Sequence, residues 1–363
     1  MTNRCSLTKP LLKRHWEMKT KYDLVYLTNT PSFYKLNLCN EIARTHSLLL
    51  VLYGYGSEAV NTELTKYAHY NFDYHFLNEG ESNNRNKLKT FVRLLKLMHR
   101  IEYKKIIFAG WFSPEYNLFA FLSPKKKNAM VCESSIFDVS LGGLSGMIKR
   151  KLIQRMSYAL PSGKPHAKLF DVAGFKGRKY ITGSVGIFNK SHRKTKIIHD
   201  PLRYIYVGRL VSVKNVELLV EEFNHNRKQL TIVGGGLLEE SLKKKAKSNI
   251  KFTGFISNEK LGDIYQTNDV FILPSYYEPW GLVVEEALYW GLPVIVSNRV
   301  GSSFDMVKEM NTGVIFKSQD IESLHQAITE MEIHFNEYYD NVQKIDWVQR
   351  DKNQVNAYNS LFD

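Results

Sequence analysis

The stretch that decides the fold is Pro274-Ser275-Tyr276-Tyr277-Glu278-Pro279-Trp280-Gly281-Leu282-Val283-Val284-Glu285-Glu286-Ala287-Leu288. An apolar run, Val270 to Leu273, predicts a strand that stops at this stretch, and a helix is predicted to begin just after Gly281. Glu278 therefore falls in the connecting loop. Glu286 falls one turn into the helix, so we expect its side chain to face the way the mouth of the helix faces.

The first turn of this predicted helix offers an anion site. We expect the backbone amides of Gly281, Leu282 and Val283 to be free at the helix N-terminus, which suits a group such as a diphosphate. Two carboxylates beside an anion would repel it. Their presence is explained if each accepts hydrogen bonds from neutral hydroxyl groups, as on a sugar or a ribose. The alternative is a solvated helix terminus with an ordinary glutamate in its first turn.

A second motif, Gly208-Arg209-Leu210 followed by Lys214-Asn215, comes after the strand predicted over Leu202 to Val207. Arg209 on the loop and Lys214 at the entry to the next helix can both reach a point beyond the strand tip. A diphosphate bound there would gain charge as its glycosyl bond breaks, and two cations would stabilise that charge. The alternative is a pair of ordinary surface cations near a strand end.

Together these motifs resemble the retaining glycosyltransferases of family four, the E-x7-E type with the GT-B fold, and those of bacterial surface-polysaccharide synthesis in particular. The shared features are Glu278 and Glu286 with seven residues between them, Pro-Trp-Gly-Leu after the first and Ala after the second, and Gly-Arg-Leu followed by Lys-Asn. The resemblance is strong over residues 202–316, weaker over 22–185 and absent over 1–20.

The resemblance implies transfer of a hexose from a UDP- or GDP-sugar to a saccharide or lipid-linked saccharide, with retention of the anomeric configuration. It implies that Arg209 and Lys214 neutralise the departing diphosphate, which itself helps to take the acceptor's proton. Glu278 would accept hydroxyls of the donor sugar, and Glu286 those of the ribose. The other donor-binding positions that the resemblance implies are Gly208, Gly235, Phe255, Leu261, Gly281 and Leu282.

No Asp-x-Asp motif occurs anywhere in the sequence, so a metal held by carboxylates has no obvious ligands. We therefore expect a metal-independent reaction without a cofactor. The resemblance is incomplete in four places. Thr30 to Lys35 replaces a glycine-rich loop, no histidine stands at 133–140, and Ser302 and Asp305 stand where a glycine and a glutamate are more usual.

The length of 363 residues exceeds what one hydrophobic core usually supports, so two domains of about 150 to 200 residues are expected. Strands alternate with helical stretches in both halves, which predicts two Rossmann-like parallel-sheet domains facing across a cleft, as in the GT-B fold. The predicted division is a disordered basic lead-in at 1–20, an acceptor domain at 21–190, a linker at 191–201, a donor domain at 202–345, and a helix at 346–363 that crosses back to the first domain.

Ligands of such sheets bind beyond the carboxyl ends of the strands, which nominates further residues in the first half. Glu133 follows a predicted strand and could orient or deprotonate an acceptor hydroxyl. Alternatively, it is a buried glutamate satisfied by loop amides. Lys164 and His166 begin a helix after another strand and are secondary candidates, with a local cap or packing role as the alternative for His166.

The net charge of +14 has three interpretations: nucleic acid, an anionic membrane surface, or a lysine-rich composition with no partner. We favour the membrane surface, because no nucleic-acid-binding module is recognisable. Three cysteines without metal or redox spacing indicate a reducing cytosol. Neither a signal peptide nor a membrane span is predicted, so we expect a cytoplasmic protein, either free or peripheral on the inner face of the cytoplasmic membrane.

Residues 87–101 carry an apolar stripe at helical spacing with a cationic border. The pattern fits a helix lying on an anionic bilayer, and it fits equally a helix packed on the sheet.

Two other functions stay open at this point: another GT-B sugar-nucleotide reaction, such as epimerisation or phosphorolysis, and a non-catalytic scaffold at a membrane surface. The donor sugar, its base, the acceptor, the linkage and the oligomeric state are not determined by the sequence.

Overall fold

The first domain is built on a parallel β-sheet whose central strands are buried. The structure is a computed structural model that describes residues 19–55, 70–193 and 196–363. Within these residues the first sheet has seven strands in the order β3-β2-β1-β4-β5-β6-β7, each paired in parallel with its neighbour. The strands are β1 (Thr20–Thr28), β2 (Leu48–Leu52), β3 (Asp73–Phe76), β4 (Ile101–Ala109), β5 (Asn128–Cys132), β6 (Tyr158–Pro161) and β7 (Arg178–Lys179).

The second domain repeats the arrangement with six described strands in the order β10-β9-β8-β11-β12-β13, again all parallel. These strands are β8 (Tyr204–Val207), β9 (Leu230–Val233), β10 (Ile250–Gly254), β11 (Val270–Leu273), β12 (Val294–Ser297) and β13 (Gly313–Phe316). Two parallel α/β domains are the predicted fold class, which is confirmed. Strands β3 and β13 were not predicted.

Helices cover both faces of the first sheet, as parallel strands require. They are α1 (Phe33–Ile42), α2 (Lys87–Arg100), α3 (Pro114–Leu122), α4 (Gly143–Gln154) and α5 (Lys164–Val172). Helices α2 to α5 bury Leu94, Phe119, Ile153 and Phe170 in one core. Helix α1 buries Leu38 in a separate core on the opposite face.

The second domain carries the remaining helices, and the last of them returns to the first domain. The helices are α6 (Val216–Asn226), α7 (Glu239–Lys245), α8 (Asn258–Gln266), α9 (Leu282–Tyr289), α10 (Ile321–Ile333), α11 (Phe335–Gln343) and α12 (Trp347–Asn359). Tyr358 of α12 and the following Leu361 pack beside Tyr26 of β1 and Leu38 of α1. The chain therefore crosses between the domains twice, once after β7 and once before α12.

The predicted lead-in at 1–20 lies almost wholly outside the described residues, and so do residues 194 and 195 of the predicted linker. Val185 and Phe188, which follow β7, already pack into the core of the second domain. None of the described helices is long and apolar enough to cross a membrane.

Helix α2 answers one of the open alternatives. Leu94 and Met98 are buried, and Phe91 and Leu95 pack against the same core. Most of the apolar stripe at 87–101 therefore packs on the sheet, and among the large apolar residues of this helix only Leu88 and Val92 are exposed.

Candidate functional site

A loop between β11 and α9 carries the first predicted glutamate, and it meets the loop after β8. We call residues 274–281 the donor loop. The ammonium group of Lys214 donates to the carboxylate of Glu278, forming an ion pair. Both side chains are largely buried, at 15% and 14% exposure, so water screens this pair little. Two motifs that lie far apart in the sequence thus form one charged centre.

The backbone explains why the two loops meet. Strands β8 and β11 are neighbours in the sheet, so the loops at their carboxyl ends lie side by side. The Tyr276 amide donates to the Val213 carbonyl at 2.9 Å, and the Asn215 side-chain amide donates to the Pro274 carbonyl at 3.4 Å. These bonds bracket Lys214 and hold it against the donor loop.

Arg209 lies near the Lys214–Glu278 pair, and it is exposed to solvent. The Tyr206 hydroxyl donates to the Arg209 carbonyl at 3.0 Å. Burial raises the pKa of Tyr206, the Glu278 carboxylate raises it further, and the Arg209 guanidinium opposes both. Arg209 and Glu278 are thus close enough to affect the same phenol, and the Arg209 side chain is exposed.

Three consecutive glycines after β9, Gly234 to Gly236, pack directly on the Gly208–Leu210 loop. The Leu210 amide donates to the Gly235 carbonyl at 2.9 Å. A Cβ atom on Gly234 would lie 2.0 Å from the Gly208 carbonyl oxygen, and the φ of Gly234 is +128°. Only glycine permits this approach, which brings the predicted positions Gly208 and Gly235 together.

Helix α9 begins as the sequence predicts. Gly281 adopts the left-handed conformation with φ 90° and ψ 63° as the residue before the helix, and Leu282 is the first helical residue. A Cβ atom on Gly281 would lie 3.2 Å from Cγ of Glu278, so the carboxylate side chain packs against the mouth of the helix. The Val284 amide donates to the Gly281 carbonyl at 2.9 Å, whereas the amides at the very start of a helix have no acceptor within it.

The other predicted donor residues lie in different environments. Glu286 on α9 is half-buried, and burial, followed by the neighbouring Glu285 carboxylate, raises its pKa to about 8. Phe255 is 81% exposed on the loop after β10. Leu261, by contrast, is buried in the core of the second domain, where its side chain contributes to packing.

A cavity of about 420 Å³ lies at the carboxyl ends of β1, β4 and β5. Its lining includes Lys35, Trp111 and Glu133 from the first domain and Tyr277 and Pro279 from the donor loop. The cavity therefore spans the two domains, and it brings Glu133 to the same space as the loop that carries Glu278.

Glu133 forms an ion pair with Lys35, a partner that was not predicted from the sequence. Its carboxylate lies 3.1 Å from the Lys35 ammonium. Burial lowers the pKa of Lys35, but the Glu133 carboxylate and the Tyr34 phenol outweigh burial, so the pKa of Lys35 is raised. Lys35 and Glu133 are far apart in the chain, so no local sequence pattern predicts that they pair.

His166 and Lys164, the secondary candidates, contact the second domain. His166 is fully buried, and its Nε2 donates to the Pro279 carbonyl at 2.9 Å. Burial lowers its pKa, which favours the neutral ring. The Lys164 amide donates to the Asp305 carboxylate at 3.0 Å, and the Lys164 ammonium pairs with Glu309. Both residues join the domains at the edge of the site.

A buried glutamate that sequence reasoning missed supports the donor loop from behind. Glu285 accepts from the Trp280 indole at 2.5 Å and from the Ser184 hydroxyl at 2.6 Å. Tyr277, on the same loop, donates to Asp138 of the first domain at 2.8 Å. The donor loop is thus held by residues from both domains, and its contact with Asp138 joins residues 139 positions apart, which leaves no sequence pattern.

In the part of the chain that the structure describes, no three His, Cys, Asp or Glu side chains are grouped so as to hold a metal ion. Among the described residues, the cationic and amide groups near the donor loop include Lys214, Arg209 and the amides at the start of α9.

Residues 187–342 match the family described as Glycosyl transferases group 1. The chain is 29% identical over 184 residues to an uncharacterized glycosyltransferase of Methanocaldococcus jannaschii, a match that covers 46% of this chain and 47% of that protein. Its matches span less than half the length of each of the first curated relatives.

Solved structures share the whole fold. HepE of Anabaena, solved in complex with UDP, aligns with a TM-score of 0.66 at 15% identity over 93% of this chain and 100% of its own. The lipopolysaccharide outer core galactosyltransferase WaaB aligns with a TM-score of 0.66 at 16% identity, over 93% of this chain and 99% of its own. At these identities the likeness shows the fold, which is GT-B.

Proposed function

We propose that this chain is a glycosyltransferase that moves a hexose from a nucleoside diphosphate sugar to a saccharide or lipid-linked saccharide, with retention of the anomeric configuration. The observation that carries the proposal is the Lys214–Glu278 pair at the mouth of α9, beside a cavity that both domains line. The group 1 domain over residues 187–342 supports the same reaction class.

The donor half follows from charge. Lys214 and Arg209 would neutralise the diphosphate, and the amides of Gly281 and Leu282 would add hydrogen bonds at a helix N-terminus. Glu278 would accept hydroxyls of the donor sugar while its pairing with Lys214 holds the carboxylate in place. Glu286 would accept the ribose hydroxyls. HepE was solved with UDP, which favours a UDP-sugar over a GDP-sugar as the first donor to test.

The acceptor half is the cavity in front of the first sheet. Its volume of about 420 Å³ lies in the range of small-ligand sites. Glu133, paired with Lys35, would accept a hydrogen bond from the reacting hydroxyl and orient it toward the donor loop. Trp111 in the same lining offers an apolar face to a sugar ring.

The reaction would break the bond between the anomeric carbon and the diphosphate oxygen and form a bond from the same face to the acceptor oxygen. The acceptor's proton would pass to the leaving diphosphate oxygen, so no second carboxylate is required at the bond. Contacts across the domains, such as Tyr277 to Asp138, would exclude water that otherwise hydrolyses the donor.

The likeness to a lipopolysaccharide galactosyltransferase supports a role in assembling a cell-surface polysaccharide or lipopolysaccharide, from the cytoplasmic side of the membrane. The acceptor would then be a growing saccharide, free or lipid-linked.

The experiment is a thermal-shift screen of UDP- and GDP-sugars without added metal, followed by NMR of the transfer product. A nucleotide sugar at 100 times its Kd stabilises the fold by about 2.7 kcal/mol. We expect one donor to raise the melting temperature and to yield a glycoside with the donor's anomeric configuration. An inverted product would contradict retention, and a product that is an epimerised donor or a sugar phosphate would assign another reaction. If no UDP- or GDP-sugar binds, the proposed donor class is wrong.

A further inference from the structure

Six apolar side chains stand exposed on the outer faces of two adjacent helices. Helix α3 exposes Leu118, Phe121 and Leu122, and helix α4 exposes Leu144, Met147 and Ile148, with between 47% and 70% of each residue accessible. We call these six residues the α3–α4 surface. A cluster of this kind on the outer layer of a domain marks an interaction site more often than chance exposure does.

The two helices form one continuous surface. Arg155, the residue after α4, donates to the Ala120 carbonyl at 3.2 Å and to the Ser123 carbonyl at 2.8 Å, both at the end of α3. Near the start of α3, the Lys149 ammonium of α4 lies 5.8 Å from the centre of the Trp111 ring. Contacts at both ends therefore keep α3 and α4 side by side.

The border of this surface is cationic. Lys125 and Lys126 follow α3, Lys151 lies on α4, and all three are exposed. No Asp or Glu occurs in residues 116–132 or 139–170. Across residues 82–156 there are fifteen Lys or Arg and four Asp or Glu.

The four acids of this segment are already engaged. Glu115 is buried against Arg85, and Glu133 pairs with Lys35 in the cavity. Asp138 accepts from the Tyr277 hydroxyl, and Glu102 lies 3.7 Å from Lys21 on β1. The α3–α4 surface therefore faces its surroundings with apolar groups and positive charge.

We propose that the α3–α4 surface docks the protein on an anionic lipid bilayer. Apolar side chains can enter the boundary between headgroups and acyl chains while the lysines reach anionic headgroups. A second copy of the chain fits less well, because a symmetric contact would set the two cationic borders against each other. This surface differs from helix α2, whose stripe the sequence pattern nominated and whose apolar residues mostly pack on the sheet.

The test is flotation of the full chain with two kinds of vesicle. One contains phosphatidylcholine alone, and the other contains phosphatidylcholine with about 30% phosphatidylglycerol as the anionic lipid. We expect binding to the anionic vesicles only, weakened by high salt. We test two double variants, Leu122→Ser with Ile148→Ser and Lys125→Gln with Lys126→Gln. Each should lower the partition coefficient by at least about ten-fold. For the lysine pair the reason is that each lysine near an anionic surface is worth roughly five-fold in binding.

Matched controls come from the second domain. Ile333 is exposed on α10, and Lys244 and Lys245 are exposed on α7. Ile333→Ser and Lys244→Gln with Lys245→Gln should bind vesicles as the wild type does. Circular dichroism checks that every variant is folded, and vesicle binding requires no sugar transfer, so its outcome is separate from that of the proposed function.

Three results would overturn the proposal. One is a wild-type chain that floats with neither vesicle. Another is variants of the α3–α4 surface that bind as tightly as wild type, which would assign binding to another part of the chain. The third is a lipid-free oligomer that the same variants dissociate, which would assign the surface to a second copy.

Discussion

Lys214 and Glu278 are 64 positions apart in the chain, and their side chains form a single ion pair. In the proposed reaction this lysine has two functions, because it would stabilise the leaving diphosphate and would hold the Glu278 carboxylate in position for the donor sugar. Arg209 has the first function only, since its side chain is exposed and its carbonyl is bonded to Tyr206. This difference leads to a prediction about the two cations.

We expect Lys214→Ala and Arg209→Ala each to lower kcat by about 10²-fold or more, by analogy with the loss of one preorganised hydrogen-bond donor. Lys214→Ala should also weaken donor binding, because it leaves a largely buried carboxylate unpaired. Steady-state kinetics with the donor found by the screen measures both effects. Lys244→Ala, at an exposed site on α7, is the control. Near-normal turnover in a folded Lys214→Ala variant would remove this residue from the mechanism.

Glu286 should make donor binding depend on pH. Burial and Glu285 raise its pKa from 4.5 to about 8, so the carboxyl is mostly neutral at pH 7. A carboxylate accepts two hydroxyl donors better than a neutral acid does. Donor binding should therefore tighten as pH rises from 7 to 9 and should release a proton near pH 7, measurable by calorimetry in two buffers.

Glu286→Gln is the matched variant, because it keeps the shape and cannot ionise. Its donor affinity should be independent of pH between 7 and 9. The folded-state pKa lies above the unfolded one, so ionisation costs the free wild-type fold stability as pH rises from about 4.5 to about 8. Glu286→Gln should gain stability relative to wild type over this window. A wild-type affinity that does not change with pH would contradict the ribose assignment.

At the scale of elements, the loop after β9 depends on glycine at one position and not at the next. The φ of Gly234 is +128°, and a Cβ atom there would meet the Gly208 carbonyl oxygen at 2.0 Å. A Cβ atom on Gly235 would meet only the end of the Glu239 side chain, at 3.3 Å. The two neighbours therefore form a matched pair for mutation.

Gly234→Ala should destabilise the fold by about 2 kcal/mol, because the residue is strained and the Gly208 loop must move. Gly235→Ala should change the free energy of unfolding by less than about 0.5 kcal/mol. Thermal unfolding without ligand measures both. Equal melting temperatures would mean that the loop after β9 is not held against the Gly208 loop.

The elements themselves were predictable to the extent that their patterns are local. Strand β11 is fully buried and reads as a continuous apolar run, and Asp320 caps α10 through the Ser323 amide, as its position before a helical pattern indicates. Strand β3 was missed because its four residues are half-buried or exposed at the edge of the sheet and show no apolar run. The stripe of α2 could not be assigned, because packing on a sheet and lying on a bilayer need the same spacing.

At the scale of the whole molecule, α12 ties the end of the chain to the first domain. Tyr358 is almost fully buried, and its ring centre lies 6.4 Å from that of Tyr26 on β1. Helix α12 thus adds to the core of a domain from which it is remote in sequence.

Tyr358→Ala should lower the free energy of unfolding by about 3 kcal/mol or more, the usual cost of removing a buried aromatic ring. Val348, on the same helix, is 64% exposed, and Val348→Ala should change it by less than about 0.5 kcal/mol. Urea unfolding followed by circular dichroism gives both values. If Tyr358→Ala is as stable as Val348→Ala, α12 does not support the first domain.

The alternation of strands and helices, the loops that carry the two motifs and the start of α9 after Gly281 follow from the sequence, because each depends on residues that are close together in the chain. The pairing of Lys214 with Glu278, the pairing of Lys35 with Glu133 and the contact between Tyr277 and Asp138 follow only from the folded chain. Parallel strands bring their carboxyl ends to one edge of the sheet regardless of their distance in sequence. Charges therefore meet through the order of strands in a sheet, and a linear pattern does not record that order.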